Sequence, residues 1–186
     1  MSVRILRLNL AGQPVEWVSW QEAVCLHARD LVRWNLGSIV LTVRGGWSRQ
    51  TQTRSSVSLH SIIACEGKIF TGGRQHPPLT NSGLFRRDRR TCLYCGASYS
   101  ERLLTRDHVV PKSKGGRDTW TNVVTACRRC NQKKGDRLLE KSGMELLALP
   151  YRPNWAEYLA LENSGRVLGD QMEFLRGQFT PHYRAA

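Results

Sequence analysis

Residues 3–10, "VRILRLNL", alternate apolar with polar or basic positions, the period of a half-buried strand. "GQP" makes a turn, and "VEWVSW" reads as a second strand. Ser19-x-x-Glu22 is a capping box, and it opens a helix expected through "WQEAVCLHARDLVRW", residues 20–34. "SIVLTVRGG" reads as a strand ending on two glycines, and "SVSLHSIIACEGKIF" as a further β-branched run. Residues 72–83 are rich in turn formers and mark a boundary. "LFRRDRRTC" is expected to begin with a short helix that presents arginines. "LLTRDHVV" is strand-like and breaks at Pro111 and the Gly115-Gly116 pair. Near the end, "GMELLALP" is helix-like and stopped by Pro150. "NWAEYLALENSG" has Asn154 as N-cap and Gly165 as C-cap, and Leu168 to Phe179 suit one more helix. The fold class is α+β. The expected division is a small α+β domain over 1–75, a linker over 76–83, a second domain over 84–150 and a helical extension over 151–186.

Charge changes this picture. The net charge is +13, and it is uneven. Residues 1–80 hold 9 Lys/Arg against 4 Asp/Glu, residues 81–140 hold 14 against 6, and residues 141–186 balance at 5 each. A basic block inside a folded region points to a polyanionic partner, nucleic acid above all; a solvated basic face is the plain alternative. No apolar run approaches the ~18 residues of a membrane span. The start, "MSVRILRLNLAGQPVEW", has neither a long apolar region nor a small-residue cleavage site, so a cytoplasmic protein with reduced thiols is expected.

Cysteine spacing adds chemistry. Cys92 and Cys95 form one C-x-x-C, and Cys127 and Cys130 another. Such pairs are zinc knuckles, redox dithiols or small hydrophobes. Two-residue spacing lets both thiolates of a pair reach one tetrahedral ion, and no thioredoxin-like βαβ pattern surrounds them. A structural four-cysteine Zn2+ site is the preferred reading, with no open position for catalysis. Cys25 and Cys65 sit alone in apolar runs and read as buried hydrophobes.

Asp107 and His108 are adjacent in the segment between the knuckles. An imidazole titrates near neutral pH and suits general base work. A carboxylate is a hard ligand for Mg2+ or Mn2+. Neighbouring strand residues point to opposite faces, so for both to serve one phosphate the strand must end or bulge here.

The ordered pattern C-x-x-C, D-H-V-x-P-x-S-x-G-G, then D-x-W-x-N-V-V-x-A-C-x-x-C-N-x-x-K-G-D resembles the HNH endonucleases, the ββα-metal nucleases. It covers roughly residues 85 to 140. The resemblance implies that His108 is the general base and that Asp107 and Asn131 hold one catalytic divalent ion. It also implies that Asn122 bonds to backbone and so holds the loop carrying His108. Asn131 stands where some members have His, and Asn favours a hard, water-rich ion. The products implied carry 5′-phosphate and 3′-hydroxyl ends. Upstream, "LNLAGQPVEWVSWQEAV" is similar to a group of stand-alone bacterial HNH proteins through Pro14, Val18, Trp20 and Ala23, which implies a bacterial or phage source.

Basic residues bracket the expected site: Arg86, Arg87, Arg89 and Arg90 before the first knuckle, Lys112, Lys114 and Arg117 after His108, and Arg128 and Arg129 within the second knuckle. They are expected to bind phosphates without reading bases. Lys134, about one turn beyond Asn131, meets the phosphate or faces solvent. Trp120 is expected to pack the hairpin. Trp17, Trp20, Trp34 and Trp47 are expected in the core of the first domain, and His27, His60, His76 and His182 are read as structural. The function expected is metal-dependent hydrolysis of nucleic acid, most simply duplex DNA. A non-catalytic zinc-dependent binding module and a nuclease for RNA or structured nucleic acid are the alternatives. The pattern sets no oligomeric state.

Overall fold

The computed structural model describes residues 3–67 and 76–180. The end of the run 56–70, the start of the connector 72–83 and His182 lie outside these. Two compact units form: Met1–Gln75 with Trp155–Ala186, and His76–Asn154.

In the first unit, β1 (Arg4–Leu8) and β2 (Pro14–Ser19) make a hairpin, with Ile5 opposite Val18 and Leu6 opposite Trp17. Ser19 then caps α1 (Trp20–Ala28): its Oγ accepts the Glu22 N–H, and the Glu22 carboxylate accepts the Ser19 N–H at 2.7 Å. The helix ends earlier than the sequence suggests. Asp30 takes a positive φ of 53°, and "VRW" enters β3 (Val32–Trp47), paired antiparallel with β4 (Arg54–Cys65). The sheet order is β2-β1-β4-β3, with β1 and β4 parallel.

Alternation on β1 and β4 divides the core. Ile5, Leu59, Ile63 and Cys65 pack with Ala23 of α1 on one face. Leu6, Leu8, Ile62 and Ala64 pack on the other face with Ala156, Leu159 and Ala160 of α5 (Trp155–Glu162) and Leu175 of α6 (Gly169–Arg176). The C-terminal segment, read as a separate extension, is therefore the second covering layer of the first sheet. A central strand apolar on both faces has to be covered twice. Trp17 packs into this core, but Trp34 and Trp47 are exposed, contrary to the core placement expected for them.

In the second unit, α2 (Asn81–Arg87) starts inside the expected linker, capped by Thr80. β5 (Leu104–His108) and β6 (Val123–Cys127) form an antiparallel hairpin with a regular register, and α3 (Arg128–Lys134) follows at once. A short helix, α4 (Leu139–Ser142), stops at Gly143, which has φ +65°. "GMELLALP" is therefore not helical, and Leu147 and Leu149 are exposed. Trp120 is buried and donates to the Pro77 carbonyl at 3.0 Å.

Candidate active site

The knuckles are built by turns at the ends of strands. The Cys92 N–H donates to the Ala97 carbonyl at 2.9 Å, and Gly96 closes that turn at φ +75°. Cys127 ends β6 and caps α3, its Sγ accepting the Cys130 N–H at 3.4 Å. The β5–β6 hairpin and α3 bring both pairs together, so all four Sγ atoms lie within 4.8 Å of one another. A tetrahedral zinc with Zn–S near 2.3 Å sets its sulfurs roughly 3.8 Å apart, so the cluster fits Zn2+. Burial pushes the Cys92 thiol up, and burial with the neighbouring thiols pushes Cys130 up. Burial acts the same way on Cys127, but hydrogen bonds from Cys130, Cys92 and Tyr99 outweigh it and bring that thiol to about 7. So crowded a cluster does not ionise fully by itself; a divalent cation bound there would supply the missing charge. Cys65 is buried, whereas Cys25 is exposed on α1, against expectation.

β5 ends at His108, opposite Val123. The ring is held at Nε2, 2.8 Å from Asp118 Oδ1. Asp118 also accepts from Lys112 Nζ at 2.8 Å and Arg106 at 3.1 Å. The Lys112 and His108 hydrogen bonds hold its carboxyl well below the usual carboxylate range. An ionised carboxylate cannot donate, so in the neutral imidazole the proton sits on Nε2 and the lone pair on Nδ1. That tautomer can take a proton from water. Asp118 has no role assigned from the sequence, although it is the first residue of the D-x-W-x-N pattern, ten residues beyond His108.

Asn122 ties down the loop beyond His108. Its Oδ1 accepts the Val110 N–H at 2.9 Å, and its Nδ2 donates to the carbonyls of Val110 at 3.1 Å and Arg117 at 3.0 Å. The loop closes only because residue 116 lacks a side chain: a Cβ there would lie 1.7 Å from the Val110 carbonyl oxygen. Gly116→Ala is expected to cost about 1–3 kcal/mol or more and to open this clip. Hydrogen exchange at the Val110 amide would show it; unchanged protection would contradict this view of the loop.

Asp107 points to the face opposite His108, toward α3. It is 5% exposed, and both oxygens are engaged, Oδ2 by the Tyr94 hydroxyl and Oδ1 by Lys134 Nζ at 3.2 Å. Lys134 is fully buried and also donates to the His108 carbonyl at 2.7 Å. It therefore neither meets a phosphate nor faces solvent, as the sequence suggested; it ties α3 to the end of β5. Asn131, one turn earlier on α3, donates to Thr105 Oγ1 at 2.9 Å, so its amide lies on the Asp107 face of the strand. Asp107 and Asn131 are the donor types of a hard cation such as Mg2+ or Mn2+, but both Asp107 oxygens already hold donors, one of them the Lys134 ammonium, so an ion there would have to displace them. Lys134→Met would leave a buried charge unpaired and is expected to cost roughly 3–5 kcal/mol. Urea unfolding measures this, and an unchanged midpoint would contradict it.

Residues 92–147 match the family model of the HNH endonucleases. The chain carries an HNH endonuclease domain. The CRISPR-associated endonuclease Cas9 of Corynebacterium diphtheriae is 41% identical over 46 residues, 24% of this chain and 4% of that protein. Among solved structures, the Type II-C Cas9 enzyme from Actinomyces naeslundii aligns at 20% identity and a TM-score of 0.30, over 57% of this chain and 12% of that one. This chain thus spans a small part of either relative.

The basic residues around the HNH domain divide by burial. Arg87 is buried and uses all five N–H groups internally: two on Asp88, the others on the carbonyls of Trp120, Val123 and Tyr151. It is a structural bolt between α2 and β6 and is removed from the phosphate contacts expected of it. Arg86 is half-buried. Arg89, Arg90, Lys114, Arg117, Arg128 and Arg129 are exposed. Arg90 pairs with Glu101 at 3.1 Å, and exposed Lys112 is held by Asp118. Tyr94, on Asp107, was not singled out in the sequence because its partner is set by the fold.

Proposed function

We propose that this chain is an HNH nuclease that hydrolyses phosphodiester bonds of duplex DNA. The observation that carries it is His108: within the span matched by the HNH family, its Nε2 is held by an ionised Asp118, which leaves Nδ1 as the proton acceptor. Nδ1 takes a proton from water, the water oxygen attacks phosphorus, and the bond to the 3′ oxygen breaks. The leaving oxygen takes a proton from solvent, so a 5′-phosphate and a 3′-hydroxyl result. Asp107 and Asn131 would hold a divalent ion, Mg2+ or Mn2+. When bound, that ion offsets charge on the phosphate and on the leaving oxygen. Asn122 keeps the His108 loop in place, and the four cysteines with Zn2+ hold hairpin and helix in register. Exposed Arg89, Arg117, Arg128 and Arg129, with Lys114, favour a polyanionic substrate.

A second reading has its own observation. Asp107 is almost wholly buried, and both its oxygens already have donors, as in a satisfied structural pair. A zinc-dependent binding module without catalysis would look like this. Incubation of the full chain with labelled duplex DNA, single strands and RNA, each with Mg2+ or Mn2+, separates the readings. The expected result is cut duplex with 5′-phosphate ends. Binding without cleavage in every metal would favour the module, and cleavage of RNA alone would replace DNA as substrate.

A further inference from the structure

β3 and β4 run on past the rest of their sheet. β1 pairs with β4 only over Ile62 to Ala64, and the last partly buried apolar pair is Val43 with Val57. Beyond it, residues 44–56 are exposed apart from half-buried Ser48. From the Leu41–Leu59 pair to the Trp47–Arg54 pair the two-stranded ribbon extends about 20 Å. Between Asp30 and Glu66 the chain has no acidic residue, and the ribbon carries Arg44, Arg49 and Arg54. Among the described residues none of these three has an acid partner.

The register sorts the side chains. Leu41, Val43, Val57 and Leu59 belong to the face packed toward α1. Arg44 opposite Ser56 and Thr42 opposite Ser58 lie on the other face. Strict alternation would send Trp47 away from Arg44. A register shift between Arg44 and Trp47 prevents this: Gly45 and Gly46 together oppose Ser55, whose hydroxyl donates to the Gly46 carbonyl at 3.2 Å. A Cβ at Gly45 would lie 2.3 Å from Ser55 Oγ. The bulge thus gathers Arg44, Trp47 and Arg54 on one face. The tip is closed by hydrogen bonds, Ser48 N–H to the Thr53 carbonyl at 2.8 Å and Gln52 Nε2 to the Arg49 carbonyl at 3.0 Å. Trp47 is 63% exposed there.

We propose that the β3–β4 ribbon is a DNA-binding arm, which lies along a groove of duplex DNA with Arg44, Arg49 and Arg54 on phosphates and Trp47 against the sugar and base edges. Two-stranded ribbons have the width of the major groove, and unpaired guanidinium groups with no nearby acid match its phosphate walls. The arm shares its partner with the nuclease reading, but it rests on residues of the other unit.

The test uses the full chain without divalent metal in the buffer, so that nothing turns over. Binding of a labelled duplex is followed by anisotropy across a salt series. The triple variant Arg44→Gln, Arg49→Gln, Arg54→Gln is expected to bind at least ~10-fold more weakly and to flatten the slope of log K against log salt by about 2.7, three phosphate contacts at 0.9 each. Trp47→Ala is expected to weaken binding several-fold with the slope unchanged. A triple Arg→Lys variant, which keeps charge and fold, is expected to keep the slope. Unchanged affinity and slope in the Gln variant would overturn the arm, as would a loss confined to single strands or a wild-type chain that binds no duplex. Arm-dependent binding without cleavage in Mg2+ or Mn2+ would sink the nuclease reading and leave the arm standing.

Discussion

Removal of the metal from the four cysteines is expected to unfold the second unit. Cys92 and Cys95 lie on the turn after α2, and Cys127 and Cys130 span the β6–α3 junction. An ion on the four thiols would tie these segments together beyond the Arg87 bonds and the Leu93 N–H to the Thr125 carbonyl at 2.9 Å; the hydrophobic cluster around the thiols is small, with Cys92, Ala126 and Cys127 as its buried members. Structural zinc in small modules contributes on the order of 10–16 kcal/mol of apparent free energy, as large as a typical domain's whole stability of about 5–15 kcal/mol. A strong chelator, or Cys127→Ser, should therefore abolish the cooperative melting transition of this unit. The first unit, with its own two-sided core, should keep its transition. Scanning calorimetry with and without chelator checks this. A transition of the second unit that survives chelation unchanged would mean that the thiols are not a structural metal site.

His108→Ala is expected to slow cleavage by about 10²–10⁴-fold, the range for loss of a positioned general base. The side chain makes one hydrogen bond, to Asp118, and both residues are partly exposed, so little stability should go with it. Loss of the ring leaves Asp118 with Lys112 and Arg106, and the loop clip by Asn122 is untouched. The variant should melt with the wild type and bind DNA as before while its single-turnover rate falls. A rate within a factor of a few of wild type would remove His108 from the chemistry.

Much of the site could be read from local pattern. The knuckles, the Asp-His pair, the glycine loop and Asn122 follow from spacing along one chain segment. The partners of those residues could not. Asp118 meets His108, and Tyr94 meets Asp107, only once the hairpin and the first knuckle are folded. Arg87 and Lys134 read as surface cations, since long charged side chains are seldom fully buried. Their burial rests on carbonyls and a carboxylate distant in sequence, which no local pattern records. In the first unit, "DLVRW" continues the helical spacing of apolar positions, yet pairing of β3 with β4 outweighs it from Val32 on. Trp34 and Trp47 are exposed for the same reason: β3 is an edge strand, and Trp47 lies where the sheet has narrowed to a ribbon. Cys25 fell in an apolar-looking helix but on its open side.

The central claim is that the Asp-His pair of this HNH domain cuts DNA. Its most direct test is conversion of supercoiled plasmid by equal amounts of wild-type and His108→Ala protein, both zinc-loaded and of equal melting temperature, with Mg2+ and with Mn2+. The expected result is nicked or linear plasmid with the wild type, and supercoiled plasmid left intact by the variant over the same interval. Cleavage by both proteins, or by neither in either metal, would contradict it.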